Sequence, residues 1–366
     1  MKHVITIFTL VAVLVITLFP TISYAQTAKQ SKASVGAYYF DGWAGQSHQA
    51  NDPNQPWAKD APTHLTRRML EEFPEREPIW GWRDDSLPIM EQQIDLAADH
   101  GLEWFAFCWY WHDNGKPINR AAIESDPKHA GLNLYLKAKN NPRLKFCLLV
   151  ANHAGFEIQG PQQWKAATEF WLPYFKHPRH LTVDGKPLII IFNAAGAAKA
   201  DLDMLQSTAK QAGLPGVAVA CCGNGTVEQG YTLRTHYNIN KGYVDGPEEH
   251  PYSELIPLHH SAWQGSQAQP YIPVVTVGWD KRPWEGPNGL NQQEGWYFPD
   301  RTPQQLAGLL SDAIKWLDAH PNQTTAERLI LLYAWNEFGE GGYLPPTKGD
   351  PNGMTLKAIQ NVLRGI

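Results

Sequence analysis

Two glutamates stand three positions apart in the run Tyr333-Ala334-Trp335-Asn336-Glu337-Phe338-Gly339-Glu340-Gly341-Gly342-Tyr343. The run follows Leu329-Ile330-Leu331-Leu332, which reads as a buried strand. A buried carboxylate without a partner is costly, so a strand end that carries two of them serves packing poorly. Such a pair can do acid–base work, with one carboxyl held neutral to donate a proton and the other ionised to accept one. Trp335, Asn336 and Tyr343 surround it, and carboxylates among aromatic rings suit the cleavage of a bond between sugars. Glu337 leaves the strand directly, whereas Glu340 lies beyond a turn containing Gly339.

Seven similar apolar runs precede this one in a chain of 366 residues. The eight are Val35 to Phe40, Trp104 to Trp111, Leu144 to Val150, Leu188 to Phe192, Val217 to Cys222, Leu233 to Tyr237, Ile272 to Val277 and Leu329 to Ala334. Helical spacing fills most of the gaps. Met90, Ile94 and Ala97 share one face of a segment that Gly101 stops. Thr302-Pro303-Gln304-Gln305 is a capping box, followed by Leu306, Leu309, Leu310, Ala313 and Leu317 at helical intervals. Asp184-Gly185 predicts a tight hairpin turn ahead of the fourth strand. Strands alternating with helices predict an α/β chain folded as a (β/α)8 TIM barrel. A doubly wound open sheet is the alternative, but no Gly-rich phosphate loop follows the first strand. The segment from Asp41 to Leu87 is too long for an ordinary connection and predicts a loop over the barrel mouth. Within it, Asp84-Asp85 read as the start of the helix that contains Ile89.

In such barrels chemistry sits where the strands end. The first strand end offers Tyr38, Tyr39, Asp41 and Trp43, and the second Trp109, Tyr110, Trp111 and His112. The third offers Asn152 and His153, the fourth Asn193, the fifth Asn224, and the sixth His236 and Tyr237. The seventh gives Trp279 and Asp280, and the eighth gives Trp335 and Asn336 with the glutamates. These ends predict a polar cleft with stacking walls, which fits a carbohydrate. Asn193 and Asn224 also suit turns, and Asp280 could simply pair with Lys281 or Arg282.

The Trp335-Asn336-Glu337-Phe338-Gly339-Glu340-Gly341 run resembles the Trp-Asn-Glu-x-x-Glu-Gly signature of glycoside hydrolase family 99. Its wider group includes proteins described as glycosyltransferases. Ala37-Tyr38-Tyr39, Phe105 to Trp111 and Gly278-Trp279-Asp280 resemble other segments of that group. The resemblance implies a (β/α)8 barrel and hydrolysis with retention, without metal or cofactor. It implies that Glu337 assists the 2-hydroxyl of the sugar as an internal nucleophile, and that Glu340 is the general acid and then base. Family 99 proper has Trp-His between the glutamates, where this chain has Phe338-Gly339. Many relatives show Ala-Asn-Glu at the third strand end, where this chain has Ala151-Asn152-His153.

Charge and composition narrow the function further. Lys and Arg number 31 against 36 Asp and Glu, a net charge of −5 with no basic run, so nucleic acid is not an expected partner. Lys2, an apolar run from Val4 to Phe19, and Ser23-Tyr24-Ala25 before Gln26 predict a signal peptide over residues 1–25. One catalytic domain over residues 26–366 would then be periplasmic or secreted, with no membrane contact after cleavage and no protein partner indicated. Export also separates the chain from nucleotide-sugar donors. Cys108, Cys147, Cys221 and Cys222 sit in apolar runs and read as buried thiols, with a Cys108–Cys147 bridge as the alternative. Two other functions suit the residues. A lyase would use His112, His236 or Tyr237 as base, with Arg234 or Arg282 facing a uronate. A non-catalytic barrel would bind sugar alone.

Overall fold

Residues 33–111, 119–265, 268–287 and 289–365 are described by the structure, a computed structural model. Among them, eight parallel strands build a nearly closed barrel. They are β1 Ser34–Tyr39, β2 Trp104–Trp109, β3 Lys145–Val150, β4 Lys186–Ile191, β5 Ala218–Cys222, β6 Leu233–Thr235, β7 Val274–Thr276 and β8 Leu329–Tyr333. Ladders join them in sequence from β1 to β6, and β8 pairs with both β1 and β7. The remaining seam, between β6 and β7, is held at one parallel bridge, Arg234 to Tyr271. There the Ile272 N–H donates to the Arg234 carbonyl at 2.9 Å, and the Thr235 hydroxyl donates to the Ile272 carbonyl at 3.0 Å. The sixth and seventh strands are shorter than the apolar runs that predicted them.

These strands are continuous apolar runs because both of their faces are covered. Side chains of one pleat fill the barrel and those of the other meet the helices. Gly36 shows how tight the inside is, since a Cβ there would lie 2.2 Å from the Trp104 ring. The outer layer contains α1 Leu87–Asp99, α2 Ala130–Lys137, α3 Gly160–Phe175, α4 Lys199–Gln211, α5 Leu255–Gln264, α6 Pro303–Ala319 and α7 Met354–Arg364. No helix separates β5 from β6. The connection, residues 223–232, is Gly-rich and shorter than the dozen or so residues that a helical crossover usually needs.

Local chemistry matches the residues that predicted it. Asp184 and Gly185 have φ of 49° and 72°, as a type I′ turn requires, and they join Thr182–Val183 to the start of β4. At α6 the Thr302 hydroxyl accepts from the Gln305 N–H at 3.2 Å, and the Gln305 amide oxygen accepts from the Thr302 N–H at 2.8 Å. All four cysteines are free thiols. Cys147 pairs in register with Ala106 and Cys108 with Leu149, so the two thiols on neighbouring strands are offset by two residues.

The segment after β1 folds over the mouth, as its length predicted. Its Trp43, Leu65, Met69 and Trp82 form a second apolar cluster with Trp284 and Phe338. Arg76 pins it, donating to the carbonyls of Asp280 at 2.9 Å and Phe338 at 3.1 Å and to the Asp280 carboxylate. The expectation for Asp84-Asp85 needs correcting. Ser86 is the N-cap of α1, with no side-chain cap and a proline in the first turn, so the helix starts without either aspartate. Asp85 instead accepts from the Gly45 N–H at 3.0 Å and from Arg83 at 2.5 Å, while Asp84 is a buried residue of the loop itself.

Candidate active site

The pleat decides which strand-end residues reach the mouth. Tyr110 and Cys108 point inward, whereas Trp109 packs against Phe170 and Trp171 of α3. The inward set surrounds a cavity of about 300 Å³. That is the lower end of the range, roughly 300–1,000 Å³, for small-ligand sites. Glu337 and Glu340 face it from the β8 end, with Tyr237 beside them. Asp41, Tyr110 and His153 also line it, as do Phe40, His64, Lys128, Phe156, Phe192 and Trp284.

The two glutamates differ in their partners. Glu337 is 3% exposed, and its Oε1 accepts from the Tyr237 hydroxyl at 2.5 Å. Its Oε2 is buried without a hydrogen-bond partner. Glu340 accepts from the Tyr333 hydroxyl, and Lys281 Nζ lies 3.8 Å from its Oε1. Lys281 also donates to the Tyr243 hydroxyl at 2.7 Å. Burial raises both carboxyls above the usual range. Glu337 rises furthest, because burial is reinforced by the charge of Glu340. Lys281 and the Tyr333 hydroxyl pull Glu340 back down. Asp41 is a third carboxyl on the cavity, and it is buried. Burial raises it too, the Gly131 N–H opposes that rise, and its Oδ2 has no partner.

Asn336 fixes the backbone from which Glu337 projects. Its side chain accepts from the Phe40 N–H at 2.8 Å and donates to the Phe40 carbonyl at 2.8 Å. It also donates to Asp84 at 3.3 Å, while its own carbonyl accepts from the Trp43 indole at 2.7 Å. Asp84 further accepts from the Tyr39 hydroxyl at 3.1 Å. Burial lifts Asp84 to about 7, although both hydrogen bonds act against the rise.

A family model described as Glycosyltransferase WbsX matches residues 81–354. The chain belongs to this family. Two solved structures of the GH99 endo-alpha-mannosidase from Bacteroides thetaiotaomicron share its fold. One superposes with a TM-score of 0.58 at 14% identity, covering 90% of this chain and 96% of that one. A structure described as a glycoside hydrolase-like protein superposes with a TM-score of 0.60 at 14% identity, covering 91% and 94%. A comparison with curated proteins gave no match. The WbsX-family chain therefore has a glycosidase-like (β/α)8 barrel, in line with the family 99-like resemblance of its signature.

Of the residues singled out from sequence, the fold gathers Asp41, Tyr110, His153, Tyr237, Glu337 and Glu340 at the cavity. It turns others to structural work. Tyr38 lies beneath Tyr237 and donates to the His236 carbonyl at 2.8 Å, and Tyr39 faces Asp84. Trp43, Trp109, Trp111, Trp279 and Trp335 are buried, and the Trp335 indole donates to Gln93 at 2.7 Å. Asn152 bridges to the backbone of Asn193 at 2.7 and 2.9 Å. His236 pairs with the Tyr271 hydroxyl at 2.7 Å, and burial lowers it to about 4. Asp280 is clamped by Arg76 and Arg282, which outweigh its burial and keep it below the usual carboxylate range. His112 lies outside the described residues.

Sequence reading missed Lys281, His64, Lys128, Trp284 and Tyr333. Lys281 adjoins the noted Asp280, and the alternation of Asp280 and Lys281 about the chain was the available signal. Tyr333 is the last inward residue of β8, two positions beyond Leu331, which period-two counting finds. His64 comes from a loop and Lys128 from the single 3-10 turn Pro127–His129, neither of which has a periodic pattern. Among the described residues no group of three or more His, Cys, Asp or Glu side chains is placed to hold a metal ion.

Asp84 gives a pH-dependent contribution with a definite sign. Its folded value of about 7 lies above the unfolded value of roughly 3.9, so the folded state binds the extra proton between the two. Its contribution is full below about pH 4 and is lost as pH rises through 7. Denaturant titrations should show wild-type stability falling relative to Asp84→Asn across that window, by at most about 4 kcal/mol. Parallel pH curves would remove Asp84 as the titrating group.

Proposed function

We propose that this protein is an exported glycoside hydrolase that uses Glu337 and Glu340 as an acid–base pair on an oligosaccharide or polysaccharide, with retention. The observation that carries the reading is the geometry of the pair. Two carboxyls face one cavity at the end of β8, the buried Glu337 with a free oxygen and the half-buried Glu340 beside a lysine. Two charges so placed repel, so the pair keeps one proton between them.

Before substrate binds, Lys281 favours the charge on Glu340, and the proton resides on Glu337. A sugar 2-hydroxyl that donates to the free Glu337 Oε2 adds a hydrogen bond to the charged form of that carboxyl. The proton then shifts to Glu340, which passes it to the departing glycosidic oxygen. Glu337 takes the 2-hydroxyl proton as that oxygen closes on the anomeric carbon. Water, deprotonated by Glu340, opens the three-membered intermediate, and Glu337 returns a proton to the 2-oxygen. Two inversions give net retention. This division of labour is the one that the family 99 resemblance implies.

The WbsX family description favours a second reading. If a sugar hydroxyl replaces water in the last step, the same pair performs glycosyl transfer. The lyase reading finds less support. Tyr237 is engaged with Glu337, His236 with Tyr271, Arg234 with the Gly223 carbonyl at 2.9 Å, and Arg282 with Asp280 at 2.8 Å.

Glu337→Gln and Glu340→Gln should each lower turnover of a natural glycan about 10²–10⁴-fold while circular dichroism stays unchanged. An activated aryl glycoside needs no acid, so Glu340→Gln should retain its first step and Glu337→Gln should not. The opposite pattern would exchange the two roles, and undiminished turnover in both would end the hydrolase reading. Lys281→Met removes a cation that lowers Glu340, so the alkaline limb of kcat/KM should move to higher pH. An unmoved limb would mean that Glu340 does not set it. Export is part of the same proposal, and the mass of the mature protein should place its first residue at Gln26.

A further inference from the structure

A second cavity, of about 460 Å³, shares the turn after Glu340 with the first. Gly341 lines it, and the Asp280 N–H beside it donates to the Glu340 carbonyl at 2.7 Å. Part of its wall is bare backbone. Gly278 and Gly341 approach so closely that a Cβ on Gly278 would lie 2.1 Å from the Gly341 carbonyl oxygen. Arg76, Arg282 and Arg301 line it around one buried carboxylate, Asp280. Its two other carboxylates, Glu72 and Glu75, are more than half exposed. Glu72 pairs with Arg68 at 3.1 Å, and Glu75 stands 3.9 Å from Arg76. The deeper wall is therefore net positive, and a concave positive wall attracts anions.

The three arginines are not equally engaged. Arg76 is occupied by two carbonyls and by Asp280. Arg282 gives Nε and Nη2 to Asp280, both at 2.8 Å, and its guanidinium lies 3.7 Å from the centre of the Tyr297 ring. Arg301 gives only Nη1, to the Val277 carbonyl at 2.7 Å, and lies over the Tyr343 ring at 4.8 Å. Its Nε and Nη2 have no partner among the described residues, and neither is buried. These two nitrogens form one edge of the guanidinium, the fork that takes both oxygens of a carboxylate or phosphate. The Val277 bond and the Tyr343 contact orient that fork before any ligand arrives. Packing alone would be met by an apolar side chain, and it does not account for a charge without an ion pair on a cavity wall.

We infer that this second cavity is a binding site for an oxyanion, a carboxylate or phosphate group held on the Nε–Nη2 edge of Arg301, with Arg282 adding to the positive field. Two sources share that chemistry: an acidic unit of the glycan that reaches across the Glu340 turn, and a free inorganic anion. The first source rests on the carbohydrate reading above, and the anion site itself does not.

Calorimetric titration of the intact protein at low ionic strength tests it without catalysis. The probes are methyl β-D-glucuronide, the neutral methyl β-D-glucoside, and inorganic phosphate. At least one of the two anions should bind saturably, and the glucuronide, where it binds, should bind tighter than the glucoside. Arg301→Met should weaken the anion about tenfold or more, the scale of a lost charged hydrogen bond. Arg301→Lys keeps a charge that can still reach the Val277 carbonyl but has no fork, so it should restore only part of the affinity. It also decides the matter if the methionine variant does not fold. Glucuronide binding that is lost with Arg301 names an acidic sugar as the source, and phosphate binding alone names a free anion. Saturation by neither anion at roughly 10 mM overturns the inference. So does equal binding of glucuronide and glucoside without binding of phosphate, or an anion affinity unchanged in a folded Arg301 variant. No turnover is read, so failure here leaves the hydrolase reading intact, and loss of that reading leaves the anion affinities measurable.

Discussion

The carboxamide of Asn336 ties the end of the eighth strand to the end of the first. It exchanges two hydrogen bonds with the Phe40 backbone, and its own carbonyl takes the Trp43 indole. Asp84 closes the same network from within the long loop. Glu337 is the next residue, so the carboxyl is placed by a backbone that cannot shift without leaving the Phe40 backbone unpaired in a part-buried site. Such a loss costs about 1–3 kcal/mol per stranded group. The barrel closure, the loop over the mouth and the position of Glu337 therefore share one point of attachment.

Electrostatics follows from that placement. Once Glu337 is fixed below the loop, burial alone makes its charge expensive, and Glu340 so close makes a second charge worse. One lysine is the compensation. Lys281 stands at 3.8 Å rather than in tight contact, and it shares its ammonium with the Tyr243 hydroxyl. A closer ion pair would hold Glu340 more firmly ionised. The looser one leaves burial able to hold the Glu340 carboxyl above the usual range.

How much of this was legible in the sequence follows from periodicity. Both catalytic candidates and the eight-strand barrel were visible, because apolar runs of strand length and a pair of carboxyls at one strand end are local signals. Tyr110 and Trp109 were not separated, although the pleat sends one into the cavity and the other against α3. Counting in twos from an inward residue would have parted them. Asn152, Trp279 and Asp280 had the right types for a sugar site, yet their partners come from distant segments, and Asp280 is claimed by Arg76 more than two hundred positions away. Lys128 and His64 reach the cavity from a short 3-10 turn and a loop whose courses depend on packing that no local pattern encodes.

The two residues between the glutamates now have a physical account. Phe338 enters the apolar cluster of Trp43, Trp82 and Trp284, where it anchors the loop rather than facing a ligand. Gly339 is required because the Trp284 ring occupies the space beside it, and a Cβ there would lie 1.9 Å from that ring. Trp284 lines the cavity, and its indole donates to the His64 carbonyl at 3.0 Å. So the wall that a longer side chain at position 339 would form is supplied instead by the segment after β7, braced against the loop after β1. Family 99 proper keeps Trp-His at these positions, and a wall drawn from other segments encloses a differently shaped space around the same two carboxyls. The end of β8 thus places the two carboxyls, while the loop after β1 and the segment after β7 shape the space around them.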